Sequence, residues 1–384
     1  MRTTAPAPEA PQISEAGHVD VLIVGAGVSG IGAAHHLRDR FPDRTFVILD
    51  AQDNRGGTWW THRYPGVRSD SDLFTYGYRF KPWRGPSIAA GAEILDYLDE
   101  VVEDDDLEQH IRCHHRVTAA RWSGADRRWT VEVTRTDSGE RLRFTTDFLW
   151  MCQGYYNHEK PYQPRWQGME RFQGRIVHPQ QWPDDLDYTG KRVVVIGSGS
   201  TASTLVPAMA KTAAHVTMLQ RSPSYYVAAP TTHELAVMLQ PLDIPQEWMH
   251  EILLRQYLMQ YHWLATNSLT APDEVHAFLM EGIRPLLPEG YDIDKPRTTA
   301  RGSSASRSFP TVISSPPSAK ERRRSSPTRS RSSPRTASAS ARARSSKPTS
   351  WSPRPGSTWR CSATSRSPST ARRSTSPSAS RGAV

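Results

Sequence analysis

Two glycine-rich stretches have the residue types and spacing of turns that bind a dinucleotide. The first, GAGVSG, places Gly25, Gly27 and Gly30 between an apolar run and a helix-forming segment. The first glycine permits a tight turn, the second lets backbone N–H groups approach a pyrophosphate, and the third lets helix and strand pack closely. Asp50 ends the next apolar run, about 20 residues on, where an acid binds a ribose hydroxyl. The alternative is a glycine-rich turn of an α/β protein that binds no nucleotide.

The second stretch, GSGSTAS at residues 197–203, stands in the same context and predicts a second dinucleotide site. The strand after it ends in Arg221, where the first site has an acid. A guanidinium there would pair with a 2′-phosphate, which favours NADPH over NADH; the alternative is a solvated arginine. Two such folds in one chain indicate two nucleotides, one giving the hydride and one receiving it, so a flavin with NADPH is the simplest pairing.

The pattern of strands and helices around these turns predicts an α/β protein with two Rossmann-like dinucleotide-binding domains. Alternating residues over 115–150 predict an antiparallel β-meander, and the apolar spacing within 246–287 predicts helices. We therefore predict these units: a disordered arm (1–17), a first, incomplete domain (18–154), a connector (155–190), a truncated second domain with a helical insertion (191–295), and a low-complexity, disordered tail (296–384).

The charge of the chain is divided between its two parts. The whole sequence carries 48 Lys and Arg against 39 Asp and Glu. From Pro296 onward there are 19 basic residues and one acid, Glu321, so the preceding residues carry 29 basic and 38 acidic side chains. The basic character thus belongs to the tail and does not indicate that the globular part binds nucleic acid.

Other classes of site and location are disfavoured. The three cysteines, Cys113, Cys152 and Cys361, are far apart and form neither a disulfide framework nor a CxxC metal site. The opening 18 residues lack the basic start and apolar run of a signal peptide, and no apolar stretch reaches the length of a membrane helix. We expect a cytoplasmic protein with no metal, no transmembrane segment and no nucleic-acid partner.

The connector carries the most specific motif of the chain. Its spacing FxGxxxHxxxWP resembles the fingerprint of Baeyer–Villiger monooxygenases within the flavin-containing monooxygenase group, closest to the ethionamide-activating monooxygenases. The fingerprint residues are Phe172, Gly174, His178, Trp182 and Pro183. The segments GGTWW (56–60), RYPGVRSDSDLFTYGYRF (63–80) and LPEGYD (287–292) agree with the same family. The resemblance spans about residues 18–295.

This resemblance implies an enzyme that uses FAD, NADPH and O2 to insert oxygen into ketones and to oxidise sulfides or thioamides. It implies FAD in the first fold, at Gly25, Gly27, Ser29, Gly30, Asp50, Thr58, Trp59, Asp70 and Val117, with Trp60 as a further cofactor contact. It implies NADPH in the second fold, at Arg68, Ser69, Gly197, Ser198, Gly199, Ser200, Thr201, Ala202, Ser203, Arg221 and Ser222. An N- or S-oxygenating flavin-containing monooxygenase is the alternative within enzymes.

Two residues near these motifs, Asp70 and His178, are candidates for a catalytic role. The resemblance implies that Asp70 is catalytic, as a carboxylate beside the flavin that partners an active-site arginine; the alternative is a loop-capping aspartate. We expect His178 to hold the hinge between the domains instead of acting in acid–base chemistry.

The tail 296–384 reads as an out-of-frame translation. In this family a late strand of the type D-apolar-apolar-apolar-T-A-T-G completes the first fold, and the printed chain has none. A shift of one base lets the codons of 347–358 encode ADIVVTATGLN, those of 310–315 PDGDLF and those of 297–302 PHYGPW. We therefore predict a frame change near residues 295–296 and an inactive chain as written. The alternatives are a genuine Ser/Arg-rich tail that binds RNA or membrane, or a non-functional fragment.

Overall fold

The computed structural model describes residues 13–219, 225–228, 233–287 and 289, together with the backbone of short strands at 311–313 and 324–325. Its strands are β1 Ile13–Val24, β2 Phe46–Leu49, β3 Ile111–Arg112, β4 His115–Ser123, β5 Arg128–Arg135, β6 Arg141–Met151, β7 Arg192–Ile196, β8 His215–Leu219, β9 Tyr226–Ala228, β10 Thr311–Ile313 and β11 Arg324–Ser325. Its α-helices are α1 Val28–Arg40, α2 Thr58–Thr61, α3 Leu73–Tyr76, α4 Gly91–Asp104, α5 Ser200–Met209, α6 Glu234–Leu239, α7 Gln246–Thr270 and α8 Pro272–Ile283.

The first fold is a six-stranded mixed sheet in the order β3-β2-β1-β6-β5-β4. β1 pairs in parallel with β2 and β6, and β4, β5 and β6 form the predicted antiparallel meander. Val21 to Ile23, near the end of β1, are buried, and because side chains alternate along a strand they cover both of its faces. Ile23 joins the core under α1 and α4, whereas Leu22 packs with Val131 and Phe144 of the meander.

The predicted disordered arm is wrong for its last five residues. Ile13 to Gly17 form the start of β1 and pair with residues 141–144 of β6 across an irregularity between Glu15 and Gly17. Arg143 donates to Glu15 over 2.8 Å. This pairing depends on main-chain hydrogen bonds and an ion pair. Because the prediction was based on the pattern of apolar residues, it could not detect such a pairing.

The second fold is smaller. β7 and β8 pair in parallel, with β11 on the outer side of β8, and α5 lies over one face. Val195 is buried under α5, but Val194 and Ile196 on the other face are 59% and 56% exposed. Within the residues described, β7 is therefore an edge strand covered on one face only.

Each fold contributes side chains to the core of the other. We expected the helical insertion to belong with the second fold, yet Leu253 and Tyr257 of α7 lie in the core of the first, beside Leu73 and Phe74 of α3. In return, Tyr64 of the first fold is buried among α5 residues in the second core. The boundary at residues 190–191 remains a prediction, and packing crosses it in both directions.

No helix in the described part of the chain is long and apolar enough to cross a membrane. Of the tail 296–384, only the backbone of β10, parallel to β9, and of β11, parallel to β8, is described. The predicted frame change and the predicted disorder of the tail otherwise fall outside the described residues.

Candidate cofactor site

The first glycine turn is built so tightly that only glycine fits at two of its positions. Gly25 has a φ of +107° and donates its N–H to the Leu49 carbonyl over 2.7 Å. A Cβ at Gly25 would lie 2.5 Å from the Cys152 carbonyl oxygen, and one at Gly30 would lie 1.8 Å from that of Gly25. The turn thus keeps the start of α1 close to β1 and β6, as the spacing predicted.

Asp50 lies at the end of β2, directly behind this turn. Its side chain is 8% exposed. One carboxylate oxygen accepts the N–H of Ala26 over 2.7 Å and the other accepts that of Gln52 over 2.8 Å. Each oxygen keeps a further lone pair, so the carboxylate can brace the turn and still accept a bond from a ribose hydroxyl.

A second pair of glycines packs against the first turn. Gly56 donates its N–H to the Ala26 carbonyl over 2.9 Å. Gly57 has a φ of +54°, and a Cβ there would lie 3.1 Å from the Cα of Gly27. The two loops therefore approach each other at these positions through their backbone.

The residues that follow these glycines hold the short helix α2 in place. The indole of Trp59 packs on the first core and donates from Nε1 to the Tyr76 hydroxyl over 3.0 Å. The indole of Trp60 donates from Nε1 to Asp53 over 2.6 Å. Thr58 begins α2, and its carbonyl accepts the backbone N–H of His62.

The second glycine turn repeats the backbone geometry of the first. Gly197 has a φ of +128° and donates to the Leu219 carbonyl over 2.7 Å, as Gly25 does to Leu49. Gly199 is the N-cap of α5 and has an extended backbone, and its carbonyl accepts both the N–H and the hydroxyl of Ser203 over 3.0 Å. Arg221 and Ser222, predicted to bind the 2′-phosphate of NADPH, lie outside the described residues.

A bridging segment, residues 64–72, connects the two turns. At its start, Tyr64 is buried in the second core, among side chains of α5. Gly66 has a φ of +75°, and a Cβ there would lie 2.9 Å from the Ala208 Cβ of α5. Further along, the segment is paired with the first fold, since Ser69 donates to the Ala89 carbonyl over 2.9 Å.

Asp70 lies near the end of this segment and is exposed. Burial, with a further contribution from the Asp70 carboxylate, raises the pKa of Tyr64, Tyr76 and Tyr156. The segment therefore brings Arg68, Ser69 and Asp70 to the junction of the two folds. Burial lowers the pKa of the Arg68 guanidinium.

The sequence pointed to Asp70 and passed over Asp72, which is more deeply buried. Asp72 is 2% exposed and caps α3, where its carboxylate accepts the backbone N–H and the hydroxyl of Thr75. It also accepts the hydroxyl of Tyr261, from α7, over 2.7 Å. The motif Asp-Leu-Phe-Thr is typical of a helix cap, but no local pattern indicated a hydrogen-bond partner 189 residues away.

The connector fingerprint forms compact local contacts. The ring of Phe172 covers Gly174, His178 accepts the backbone N–H of Gln180 over 3.2 Å, and Trp182 packs against the second core. The imidazole of His178 thus caps a short helical turn, and its role as a hinge between the domains remains a prediction. Pro183 follows Trp182 and its carbonyl accepts the N–H of Leu186.

The remaining predicted residues lie close to the same elements. Val117 packs on β4 among the meander core, and Ser29 is exposed at the start of α1. Ser198 and Ser200 flank Gly199, and Ala202 is buried in α5. The described residues contain no group of three or more His, Cys, Asp or Glu that could hold a metal.

Comparison with known proteins agrees with these features. A family model described as flavin-binding monooxygenase-like matches residues 81–254, and one described as an NAD(P)-binding Rossmann-like domain matches 23–91. The FAD-containing monooxygenase EthA of Mycobacterium tuberculosis is 45% identical over 280 residues. The chain is therefore similar to flavin-binding monooxygenases, as the resemblance inferred from the connector fingerprint implied.

Solved structures of this family share the fold. A steroid monooxygenase bound to NADP aligns with a TM-score of 0.55 and 29% identity, over 71% of this chain and 58% of that one. A cyclohexanone-bound cyclohexanone monooxygenase aligns with a TM-score of 0.51 and 29% identity, over 60% of this chain and 44% of that one. The EthA match covers 72% of this chain, which spans 57% of the length of EthA.

Proposed function

We propose that the intact reading frame of this protein encodes an FAD- and NADPH-dependent Baeyer–Villiger monooxygenase, with FAD in the first fold and NADPH in the second. The observation that carries the proposal is the pair of glycine turns, which share one backbone geometry and are joined by a segment packed into both folds. Two dinucleotide sites at one junction suit hydride transfer between their nucleotides. EthA is FAD-containing, and the steroid monooxygenase carries NADP, which supports the same pairing.

The first fold fits the adenosine and pyrophosphate part of FAD. Gly25, Gly27 and Gly57 let the two loops pack closely through their backbone, and the N-terminus of α1 that follows favours the negative charge of a pyrophosphate. Asp50 has a buried carboxylate with spare lone pairs for a ribose hydroxyl. In the second fold, the repeated turn at 197–203 offers the same cradle to NADPH.

The proposed reaction consumes a ketone, O2, NADPH and one proton, and yields an ester or lactone, NADP⁺ and water. When bound, NADPH and FAD supply the two electrons that make O2 reactive. The chain orients the nucleotides through its two turns, and Asp70 adds a negative charge on the segment that joins them. That charge would favour a cationic partner at the site of chemistry. Sulfides or thioamides are the proposed additional substrates.

We assign this activity to the intact reading frame and propose that the printed chain does not turn over. A first test is the bound flavin of the purified 384-residue chain and of an Asp50→Ala variant. We expect the chain to retain FAD and the variant to lose it; a chain that takes up no added FAD would contradict the first-fold assignment.

Resequencing the codons for residues 290–304 tests the frame. We expect an insertion or deletion there that restores the TATG strand downstream. The corrected protein, given NADPH, should then convert a ketone to its ester; sulfoxide as the only product would favour the N- or S-oxygenating alternative.

A further inference from the structure

We propose that Gln180 and Gln181 are positioning residues, which fix the start of the connector against the first fold. Both lie in the short helical turn Pro179–Gln181 of the connector fingerprint. Their side-chain amides bind the entry segment, residues 155–160, on either side of His158. We call these two hydrogen bonds the amide contact. The contact itself rests on geometry, and its consequence for the two nucleotide sites rests on the proposed function.

The two hydrogen bonds of the amide contact end on carbonyl groups that flank a single residue. The Nε2 group of Gln180 donates to the Asn157 carbonyl over 2.8 Å. The Nε2 group of Gln181 donates to the Glu159 carbonyl over 3.0 Å. Gln180 is only 9% exposed, and a buried amide that loses its partner is left unsatisfied away from water. The first of the two bonds is therefore the stronger restraint on the entry segment.

The backbone of the turn holds both glutamines in place for this contact. The N–H of Gln180 donates to the imidazole Nδ1 of His178 over 3.2 Å. The N–H of Gln181 donates to the carbonyl of the same histidine over 2.9 Å. Trp182, the next residue, packs against the second core. The turn therefore contacts the second fold on one side and the entry segment on the other.

His158 lies between the two bound carbonyl groups and packs among other rings. The centre of its ring is 6.5 Å from that of His62, in the first fold, and 6.2 Å from that of Tyr156. The rings of His62 and Tyr156 are 5.0 Å apart. The Nδ1 atom of His158 is buried and has no hydrogen-bond partner among the residues described. Because no polar contact at Nδ1 fixes the imidazole, its place depends on ring packing and on the backbone at either side, which the amide contact holds.

His62 connects this packing to residues predicted to bind FAD. It directly follows α2, and its backbone N–H and its Nδ1 both donate to the Thr58 carbonyl, over 3.0 and 2.8 Å. Thr58 and Trp59, at the start of α2, are predicted FAD contacts. A displacement of His158 would therefore be transmitted to this helix. Since Trp182 joins the same turn to the second core, the two glutamines set the spacing between the two predicted nucleotide sites.

The test uses Gln180→Met, Gln181→Met and the double variant of the full chain, because methionine has a similar length and lacks the amide donor. Gln173→Met is the matched control, since the Gln173 amide donates instead to the Arg171 carbonyl, over 3.2 Å, within the same connector. Amide hydrogen exchange is measured over residues 155–160 and at His62. The melting temperature of each variant monitors the global fold.

We expect each single variant to exchange the amides of residues 155–160 about threefold to tenfold faster than wild type, the range that one lost hydrogen bond produces. The double variant should exchange them faster than either single variant, and Gln173→Met should match wild type. Unchanged exchange over these residues in the double variant overturns the amide contact, and so does an equal acceleration in the control.

A double-mutant cycle with His158→Ala tests whether the glutamines act through His158. We expect Gln180→Met to speed exchange of the His62 amide in the wild-type background and to add nothing in the His158→Ala background. Additive effects at His62 overturn the positioning role, because a general loss of stability would add, and the absence of any effect in the wild-type background overturns it too.

Binding of added FAD and NADP⁺ to the wild-type chain is measured separately. A wild-type chain that binds neither nucleotide overturns the proposed function, whereas the exchange rates alone decide whether the amide contact holds the entry segment. The failure of one proposal is therefore distinguishable from the failure of the other.

Discussion

In the first fold the strand before the glycine turn is covered on both faces, whereas in the second fold its counterpart is covered on one. Leu22 and Val194 occupy equivalent places, three residues before Gly25 and Gly197, and are 0% and 59% exposed. The two turns nevertheless have the same N–H to carbonyl bond and the same left-handed glycine. The turn is therefore set locally, by glycine and the next strand, while the stability of each sheet depends on distant neighbours.

The largest expected difference between the folds is in these two strands. Leu22→Ala should lower the free energy of unfolding by about 3 kcal/mol, because a buried leucine leaves a cavity, while exposed Val194→Ala should change it by about 0.5 kcal/mol or less. Urea denaturation of both variants measures this. If Val194→Ala costs as much as Leu22→Ala, the outer face of β7 is covered in solution and the comparison fails.

The turns themselves provide the next comparison. Gly25→Ala and Gly197→Ala both place a side chain at positive φ, a shared cost of about 1 kcal/mol. Only Gly25→Ala also brings a Cβ to within 2.5 Å of the Cys152 carbonyl. We expect Gly25→Ala to be about 2 kcal/mol less stable than Gly197→Ala, since backbone at that site must move. Equal losses would show that β6 yields freely at Cys152.

Asp50 provides a further test of the comparison, because its carboxylate supports the first turn through two hydrogen bonds from backbone N–H groups. Asp50→Ala should destabilise the protein by about 2 kcal/mol, and Asp50→Asn by about 1 kcal/mol, since the amide oxygen still accepts one N–H. Chemical denaturation without added nucleotide isolates this effect from cofactor binding. Equal stability of Asp50→Ala and wild type would mean that the carboxylate does not support the turn.

The smallest expected difference between the two folds is in how stability depends on pH. Asp20, at the start of the β1 segment facing β2, accepts the N–H and hydroxyl of Thr45, and these bonds lower its pKa from 3.8 to about 2. The second fold has Arg192 at the equivalent position, paired with His215. The stabilisation from Asp20 is present above pH 4 and lost as the pH falls toward 2; with a side chain that is 23% exposed, it amounts to roughly 1 kcal/mol. Asp20→Asn should flatten this loss in acid denaturation; an unchanged pH profile would contradict it.

The local elements of this fold were open to prediction from the sequence. The strand–turn–helix units, the meander and the helices of 246–287 follow from periodicity and glycine spacing within a few residues of each position. Gly25 and Gly30 form the tight turn and the close helix–strand packing that their spacing implied, whereas the ribose contact of Asp50 remains a prediction. Arg221, by contrast, remains a prediction, because it lies outside the described residues.

The long-range packing was not open to prediction in this way. Tyr64, Asp72 and Tyr261 are typical of a turn, a helix cap and a helix face when each is considered alone. Their importance arises only when segments almost 200 residues apart meet, as in the contact between Asp72 and Tyr261, and a single sequence carries no local mark of such a meeting. The same holds for Ile13 to Gly17, whose pairing partners begin at Arg141.

The exchange of core residues between the two folds has a consequence for synthesis of the protein. Leu253 and Tyr257 complete the core that Leu73 and Phe74 begin. On a ribosome, the first fold emerges long before α7 does, and its core must wait, partly open, until the helix has left the exit tunnel. During that interval the surface reserved for α7 is available to chaperones. The two nucleotide folds are thus adjacent in the finished molecule but cannot mature one after the other.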